Sequence, residues 1–512
     1  MSKMKDYKKV IILAAGIGSR LAPITDIKPK SLVCVGGKSI IEYQIDGYLK
    51  AGLREEDIVI VAGYFSDKIN EYINFKYPKV KILENSNYRT TNNMYSLYIA
   101  LKYINEGKSK FDTLFINNAD CVYDEKLIYE FVNCGLDNAI AIKRGVYIEE
   151  SMKIELSESG NIVDISKNIS PSKSAGVSVD LYKYSYQSAK LLLKIIGEFI
   201  EIKKDLNQWT EVSFPVLFRI VNVLPFDVRK YNWVEIDNLD DLSVADKIFS
   251  RFNYGAKKAF ICDIDGTLCI GNTSIEGAVN FVRENDNIFD FYYLTNNTSK
   301  VPNDYIKKLS KFGISVSENQ ITTPLFSLID YIKTMRYTSL YLIANKQVKS
   351  FIKKELPGVS IEYDLNRNQA VILTYDDEIT YDKLKKAVIL LNKKGVDYIA
   401  THSDSFCPSE NGPIPDIGSI MALIEKTNGF YPQMILGKPS VSLIEKQIKK
   451  YGKEKLAIVG DRLHTDKRLA DNAGIDFVCV LSGETNRIDL EKISQDAFPA
   501  IVVNNLGDLF KK

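Results

Sequence analysis

Histidine is nearly missing from this chain, with His402 and His464 the only two in 512 residues. A centre built on several imidazoles is thereby excluded, and any divalent cation must be held by carboxylate oxygens, which suits Mg²⁺. Cysteine is sparse as well. Cys34, Cys121, Cys134, Cys262, Cys269, Cys407 and Cys479 are scattered and never form Cys-x-x-Cys, so they read as reduced core residues rather than a disulfide framework or zinc site. An excess of charge of one sign is lacking too: 67 Lys and Arg against 65 Asp and Glu leave a formal +2. That excludes a nucleic-acid binder working through a broad basic surface. No apolar run reaches the roughly 18 residues that span a bilayer. The N-terminal Met-Ser-Lys-Met-Lys leads into a strand rather than a signal peptide. These absences predict a cytoplasmic protein with no membrane partner; a homo-oligomer is left open.

What is present is ordinary in bulk, with 45% hydrophobic and 26% charged residues, as in soluble globular proteins. The length exceeds one ordinary core, which predicts two or more domains. The stretch Leu13-Ala14-Ala15-Gly16-Ile17-Gly18-Ser19-Arg20, running on to Pro29-Lys30, follows an apolar strand-like run from Val10. Gly16 and Gly18 leave backbone N–H groups free to approach a triphosphate, and Arg20 and Lys30 supply the cations such a chain needs when partly desolvated. Helical spacing over Ser39 to Leu53 and buried-strand runs over Asp57 to Ala62, Val80 to Leu83 and Thr113 to Ile116 predict a doubly wound sheet. Its ligands belong at the strand C-terminal ends. Asn92, Asn93 and Ser96, in the polar loop after the third strand, are read either as helix caps or as amide and hydroxyl groups for base or acceptor. Asp120, just past a strand end, is placed for a cation.

This first half resembles the nucleotidyltransferases that activate phosphorylated small molecules, the family of the sugar-phosphate nucleotidylyltransferases and the bacterial choline-phosphate cytidylyltransferases. The resemblance rests on the Gly loop, on Thr91-Asn92-Asn93-Met94-Tyr95-Ser96-Leu97, on Asn118-Ala119-Asp120 and on Trp233-Val234-Glu235-Ile236-Asp237. It implies that Leu13, Ala14, Ala15, Gly16 and Gly18 wrap the nucleotide and that Lys30 and Arg20 stabilise the phosphates. It further implies that Asp120 and Asp237 hold Mg²⁺. The Thr-Asn-Asn segment is similar to the choline-phosphate branch, which implies CTP and a small phosphorylated alcohol or amine. A sugar 1-phosphate with UTP or dTTP is the alternative. Lys143, Lys153 and Lys173 are candidates for the acceptor phosphate or solvated surface. Trp209 and Glu211 are either part of a cage for a quaternary amine or core residues.

A short connector, Tyr254 to Lys258, opens the second half. The strand-like Ala259-Phe260-Ile261-Cys262 then delivers Asp263 and Asp265, two carboxylates on one side. Asp263-Ile264-Asp265-Gly266-Thr267, Leu294-Thr295-Asn296-Asn297, Gly437-Lys438-Pro439 and Gly460-Asp461-Arg462-Leu463-His464-Thr465-Asp466 occur in the order of the haloacid-dehalogenase superfamily. They are similar to its p-nitrophenylphosphatase-like branch. The resemblance implies that Asp263 is the nucleophile and Asp265 the proton donor, with Thr295, Asn296 and Lys438 on the phosphoryl oxygens. Asp263, Asp461 and the backbone carbonyl of Asp265 would hold Mg²⁺, and Asp466 would orient Lys438 or a metal-bound water. An α/β cap is expected over about 325–425, with His402 either a surface residue or a substrate contact. The expected architecture is α/β throughout: a Rossmann-like nucleotidyltransferase domain over 1–253, then a haloacid-dehalogenase-type domain with an inserted cap over 257–512. The expected function is bifunctional: CMP transfer from CTP together with hydrolysis of a phosphate monoester, in the service of surface polysaccharide or lipid decoration. Transfer to an alcohol instead of water at the second site, or a non-catalytic binding or regulatory role for one half, are the other readings.

Overall fold

A computed structural model describes residues 7–107, 111–407 and 412–510. By its internal contacts the chain divides into two compact units, Met1–Phe249 with Glu491–Asp496, and Ser250–Leu490 with Ala497–Lys512.

The first unit is built on β1 (Lys8–Ala14), β2 (Ile58–Ala62), β3 (Lys81–Glu84), β4 (Thr113–Asn118), β5 (Cys121–Tyr123), β6 (Ala139–Arg144), β7 (Lys153–Leu156), β8 (Ile162–Ser166), β9 (Ser174–Ser185), β10 (Leu224–Asp227) and β11 (Trp233–Glu235). The main sheet runs β8-β7-β9-β4-β1-β2-β3, with β6 beside β9 and β10 beside β6. Strands β4, β1, β2 and β3 are parallel. Side chains alternate along β1, sending Val10, Ile12 and Ala14 to one core and Ile11 and Leu13 to the other. Both faces are therefore covered, and the strand reads as one apolar run.

The other half of the sheet departs from the doubly wound expectation, because β9 pairs antiparallel with β4, β6 and β7. The cause lies in β9 itself. It is a 12-residue strand long enough to pair with several neighbours in turn, so no crossover helix is needed between them. Its register against β6 jumps between Ser178, opposite Ile142, and Tyr182, opposite Ile140. Three residues thus stand against one. In the middle of the bulge sits Asp180, in the left-handed region at φ 55°, and the bend turns its side chain toward the strand ends. The two-stranded ladder of β11 with β5, Glu235 opposite Cys121, brings the segment ending in Asp237 to the same place.

The second unit contains β12 (Ala259–Asp263), β13 (Asp290–Leu294), β14 (Ile321–Thr322), β15 (Tyr341–Ile343), β16 (Ala370–Leu373), β17 (Asp397–Ala400), β18 (Met434–Ile435), β19 (Leu456–Gly460), β20 (Asp476–Val480) and β21 (Ile501–Val503). Six of these form a parallel sheet in the order β14-β13-β12-β19-β20-β21. The inserted strands β15-β16-β17-β18 form a parallel sheet of their own. This cap has a separate core, including Leu325, Leu342, Ile372, Ile399 and Leu436. It runs about ten residues past the expected end, since β18 closes its sheet. A two-residue strand carries too little periodicity to be seen in sequence. Among the described residues no helix is long and apolar enough to cross a membrane.

Candidate active sites

In the first unit a cavity of about 350 Å³ opens at the C-terminal ends of β1 and β4. Leu13, Ala14, Ala15 and Gly16 form one wall, Asn92, Asn93 and Ser96 another, and Arg20, Lys30, Asp120 and Asp237 meet between them. Lys30 Nζ lies 3.1 Å from Asp120 Oδ2 and 3.0 Å from Asp237 Oδ1, and Arg20 Nη2 lies 2.9 Å from Asp237 Oδ2. Burial opposes the charge on Lys30, but the Asp120 and Asp237 carboxylates outweigh it and raise its pKa above the ordinary lysine value. Asp237 is held below the usual carboxylate range: burial works the other way, and Lys30 and then Arg20 overcome it.

The helix Asn93–Glu106 is capped by Asn92, whose side chain accepts from the Asn93 N–H at 2.8 Å. Asn93 Oδ1 accepts from the Thr210 N–H at 2.8 Å, and Ser96 Oγ accepts from Asn85 Nδ2 at 3.0 Å. These three therefore line the cavity while serving as caps and braces, so both readings of them meet in one place. Gly18 does not line the cavity among the described residues. Its backbone is left-handed at φ 69°, and a Cβ there would meet the Cβ of Lys30 at 2.8 Å. Its work is to let Lys30 pass, which the spacing of two glycines did not reveal.

Several expectations are corrected here. Lys153 is wholly buried and donates to the carbonyls of Ile148 and Glu149, while Lys173 pairs with Glu155 at 3.4 Å. Lys143 Nζ sits 5.9 Å from the Trp233 ring centroid. None of the three lines the cavity. Lys167 does, with its Nζ 4.9 Å from the Trp209 ring centroid. Trp209 is no core residue: it is 45% exposed on the cavity wall, and Glu211 is buried beside it.

Asp180 and Glu235, to which the sequence assigned no role, line the same cavity together with Glu211. Tyr182 OH lies 2.9 Å from Asp180 Oδ1 and 2.8 Å from Glu211 Oε1, and Asn118 Nδ2 donates to Asp180 Oδ2 at 2.9 Å. Burial, then the Asp180 charge, pushes Glu211 up to about 7. Burial, then Asp180 and Asp120, pushes Glu235 up to about 9. Carboxylates thus outnumber the cations that balance them. Ligand oxygens of Asp120, Glu235 and Asp237 lie within 4.8 Å of one another. An all-oxygen set with surplus negative charge fits Mg²⁺.

The second site gathers at the C-terminal ends of β12, β13 and β19. Lys438 Nζ lies 2.5 Å from Asp263 Oδ1 and 2.6 Å from Asp466 Oδ1, with all three groups buried. Burial raises the Asp263 carboxyl well above the carboxylate range, Lys438 opposing and Asp466 and Asp461 adding to the rise. Burial, then Asp466, pushes Asp461 up to about 6. Asp461 Oδ2 accepts from the Glu484 N–H at 2.7 Å, while Oδ1 is buried with no hydrogen-bond partner among the described residues. A Cβ on Gly266 would come within 2.3 Å of this carboxylate and one on Gly483 within 2.0 Å. Ligand oxygens of Asp263, Asp461 and Asp466 lie within 4.8 Å. The orphaned oxygen and the glycine cradle fit a bound divalent cation.

Asp265 stands apart, 41% exposed, with Lys308 Nζ 2.8 Å from its Oδ1. Thr295 is buried, and its Oγ1 accepts from the Asn297 N–H at 3.1 Å. The Asn296 side chain accepts from the Lys438 N–H at 2.8 Å and donates to Asp404 of the cap at 3.3 Å. It braces cap and lysine together. His402 is corrected as well: it is fully buried, its Nε2 has no hydrogen-bond partner among the described residues, and burial lowers it to about 4.

Comparison with known proteins bears on both units. The sequence model described as nucleotidyl transferase matches residues 9–143. Those described as haloacid dehalogenase-like hydrolase and HAD-hydrolase-like match 260–355 and 435–509. An acid sugar phosphatase of Staphylococcus epidermidis is 30% identical over 238 residues, which is 46% of this chain and 90% of that protein. The chain belongs to the haloacid dehalogenase-like hydrolases. An acid sugar phosphatase of Staphylococcus saprophyticus is 28% identical over 260 residues, or 50% of this chain and 97% of that one. The solved 4-nitrophenylphosphatase of Thermotoga maritima is 38% identical at a TM-score of 0.46, covering 50% of this chain and 97% of its own. This hydrolase thus carries a nucleotidyl transferase domain ahead of a phosphatase domain, both α/β.

Asp180 concentrates the electrostatic cost of the first site: burial, then the Asp120 charge, raises its carboxyl. Asp180→Asn removes that charge and tolerates the left-handed backbone. In metal-free protein we expect it to raise the melting temperature by about 2–4 °C for each kcal/mol gained. Calorimetry in EDTA checks this, and an unchanged or lower melting temperature contradicts it.

Proposed function

We propose that the chain is a bifunctional enzyme that transfers CMP from CTP to a small phosphorylated amine or alcohol and hydrolyses a phosphate monoester through an aspartyl-phosphate. The observation that carries the reading is the pairing in each unit of one lysine with two carboxylates from distant segments, Lys30 with Asp120 and Asp237, and Lys438 with Asp263 and Asp466. Both arrangements suit in-line displacement at phosphorus, where positioning and charge stabilisation do most of the work. The loop Leu13 to Gly16 and the Asn92, Asn93 and Ser96 wall would hold the nucleotide. Trp209, Asp180 and Glu211 form an aromatic and acidic corner that suits an acceptor with a cationic head. This supports an amine among the acceptors.

At the first site an oxygen of the acceptor phosphate attacks the α-phosphorus, the bond to the bridging oxygen breaks, and pyrophosphate leaves. Lys30 and Arg20 balance the charge that develops. At the second site Asp263 attacks phosphorus while Asp265 gives its proton to the leaving alcohol. Asp265 then takes a proton from water, which releases phosphate and regenerates Asp263. Thr295 and Lys438 hold the phosphoryl oxygens, and Asp466 orients Lys438. Asp120 and Asp237 would hold Mg²⁺ in one unit, and Asp263, Asp461 and the Asp265 carbonyl in the other. When bound, the metal neutralises phosphate charge and polarises the reacting phosphorus. A soluble cytoplasmic enzyme supplying a CDP-activated unit for surface polysaccharide or lipid decoration is consistent with this chemistry.

Full-length Asp263→Asn protein, incubated with Mg²⁺, each common triphosphate and a panel of phosphocholine, aminoethyl phosphonate, glycerol phosphates and sugar 1-phosphates, should release pyrophosphate with CTP and one small phosphate or phosphonate. Release only from UTP or dTTP with a sugar 1-phosphate would overturn the cytidylyl reading. Asp237→Ala should abolish that release. For the second site, Gly483→Ala should push the Asp461 carboxylate aside and cut hydrolysis of 4-nitrophenyl phosphate on the order of 100-fold, a loss of about 2.7 kcal/mol in transition-state stabilisation. Retained hydrolysis would show that the Asp461 cradle is dispensable.

A further inference from the structure

One corner of the first unit's cavity is short of both protons and positive charge. Asp180 and Glu211 line it, and both lean on a single hydroxyl: Tyr182 OH lies 2.9 Å from Asp180 Oδ1 and 2.8 Å from Glu211 Oε1. A phenol has one proton to donate. One of the two contacts is therefore left without the tyrosine proton. Asn118 Nδ2 serves only the far oxygen of Asp180, Oδ2, at 2.9 Å. The basic side chains that line the cavity are engaged elsewhere, Arg20 and Lys30 with Asp120 and Asp237, and Lys167 against the Trp209 ring. Among the described residues none of them pairs with Asp180 or Glu211. Glu211, 4% exposed and pushed up to about 7 by burial and then by the Asp180 charge, shows the same deficit.

Such a corner repels a triphosphate and an acceptor phosphate alike, so its occupant is a cation. Two kinds of organic cation differ in what they ask of a protein. A trimethylammonium has no N–H and is held by aromatic faces. Among the described residues the aromatic side chains lining the cavity are Tyr88 and Trp209, and each already has a cation of the chain against it. Arg89 Cζ lies 5.5 Å from the Tyr88 centroid and Lys167 Nζ 4.9 Å from that of Trp209. A primary ammonium instead brings three N–H donors, which is what two carboxylates sharing one hydroxyl lack. The corner also lies close to the reacting end. Carboxylate oxygens of Asp180 and Asp120 are within 4.8 Å of one another, and Lys30 Nζ is 3.1 Å from Asp120. A linker of about two or three carbons spans such a distance.

We propose that Asp180 and Glu211 receive a primary ammonium on the acceptor, so that the first site takes a short aminoalkyl phosphate or phosphonate in preference to its N-trimethyl counterpart and to polyol phosphates. The assignment rests on the cytidylyl-transfer reading and names its acceptor class. Both side chains meet the head of the acceptor and stay clear of the reacting phosphorus.

The test follows initial rates of pyrophosphate release by the full-length protein with Mg²⁺ and CTP, on acceptors that share one positive charge and differ in N–H count. Phosphoethanolamine and 2-aminoethyl phosphonate are each set against the N-trimethyl counterpart, and glycerol 3-phosphate supplies an uncharged head. At least one primary amine should exceed its counterpart and glycerol 3-phosphate by on the order of ten-fold or more in kcat/KM, because a site built to accept N–H bonds rejects an analogue without them. Asp180→Asn should raise KM for the favoured amine and bring that ratio near one, with KM for CTP and the Mg²⁺ requirement unchanged. Glu211→Gln gives the same readout where the Asp180 variant fails to fold. A trimethyl or polyol acceptor favoured by the unaltered protein, or a ratio that survives these substitutions, would overturn the assignment. So would an effect of Asp180→Asn confined to the Mg²⁺ requirement, which would make Asp180 a metal ligand instead. Release from CTP with flat ratios removes the amine assignment alone, and no release from CTP with any of these acceptors removes the cytidylyl-transfer reading together with it.

Discussion

Like charges gathered at one point repel, and each unit of this protein gathers carboxylates at the C-terminal ends of parallel strands. What makes the gathering tolerable is a lysine ammonium set between two of them. Lys30 stands between Asp120 and Asp237, and Lys438 between Asp263 and Asp466. Removing one partner of such a buried arrangement leaves a charge uncompensated and costs about 3–5 kcal/mol. The lysines therefore hold distant segments in register before any substrate arrives. Asp120 and Asp237 lie 117 residues apart in the chain, and Asp263 and Asp466 lie 203 apart.

The compensation is incomplete, and the remainder is where the chemistry resides. In the first unit Asp180, Glu211 and Glu235 add charge that Lys30 and Arg20 do not balance, and the carboxyls of Glu211 and Glu235 rise to about 7 and about 9. In the second unit Asp461 rises to about 6 and keeps an oxygen with no partner among the described residues. Groups so perturbed are poised to accept a cation, whether a metal ion or a charged head group, because binding one relieves the repulsion already present. Local geometry holds the strain in place. The bulge of β9 fixes Asp180 at φ 55°, and Gly266 and Gly483 close on Asp461 where any Cβ would collide.

Much of this was legible in the residues. The apolar runs of β1, β2 and β12 marked buried parallel strands, because a strand covered on both faces has no reason to alternate. Lys30, Asp120, Asp237, Asp263, Lys438, Asp461 and Asp466 stand out because each follows a strand or sits in a short motif. Asp180 did not stand out, because it lies inside a long strand and a bulge leaves no periodic signature, and Glu211, in a 3-10 turn, was legible only as cage or core. Lys153 offers the converse lesson, since it read as a phosphate ligand or solvated surface and folding buries it against backbone carbonyls.

The sequence by itself determined the α/β class, the two-part organisation of the chemistry and the main polar side chains, because strand periodicity and short motifs are local properties of the chain. Only the tertiary structure decided which acids share a cavity, that Gly18 yields to Lys30, that Asn296 ties Asp404 of the cap to Lys438, and that Arg462 meets both Asp404 and Glu484. Those outcomes depend on distances between residues far apart in sequence. Charge repulsion, desolvation and Cβ contacts act on such distances, and no local pattern encodes them.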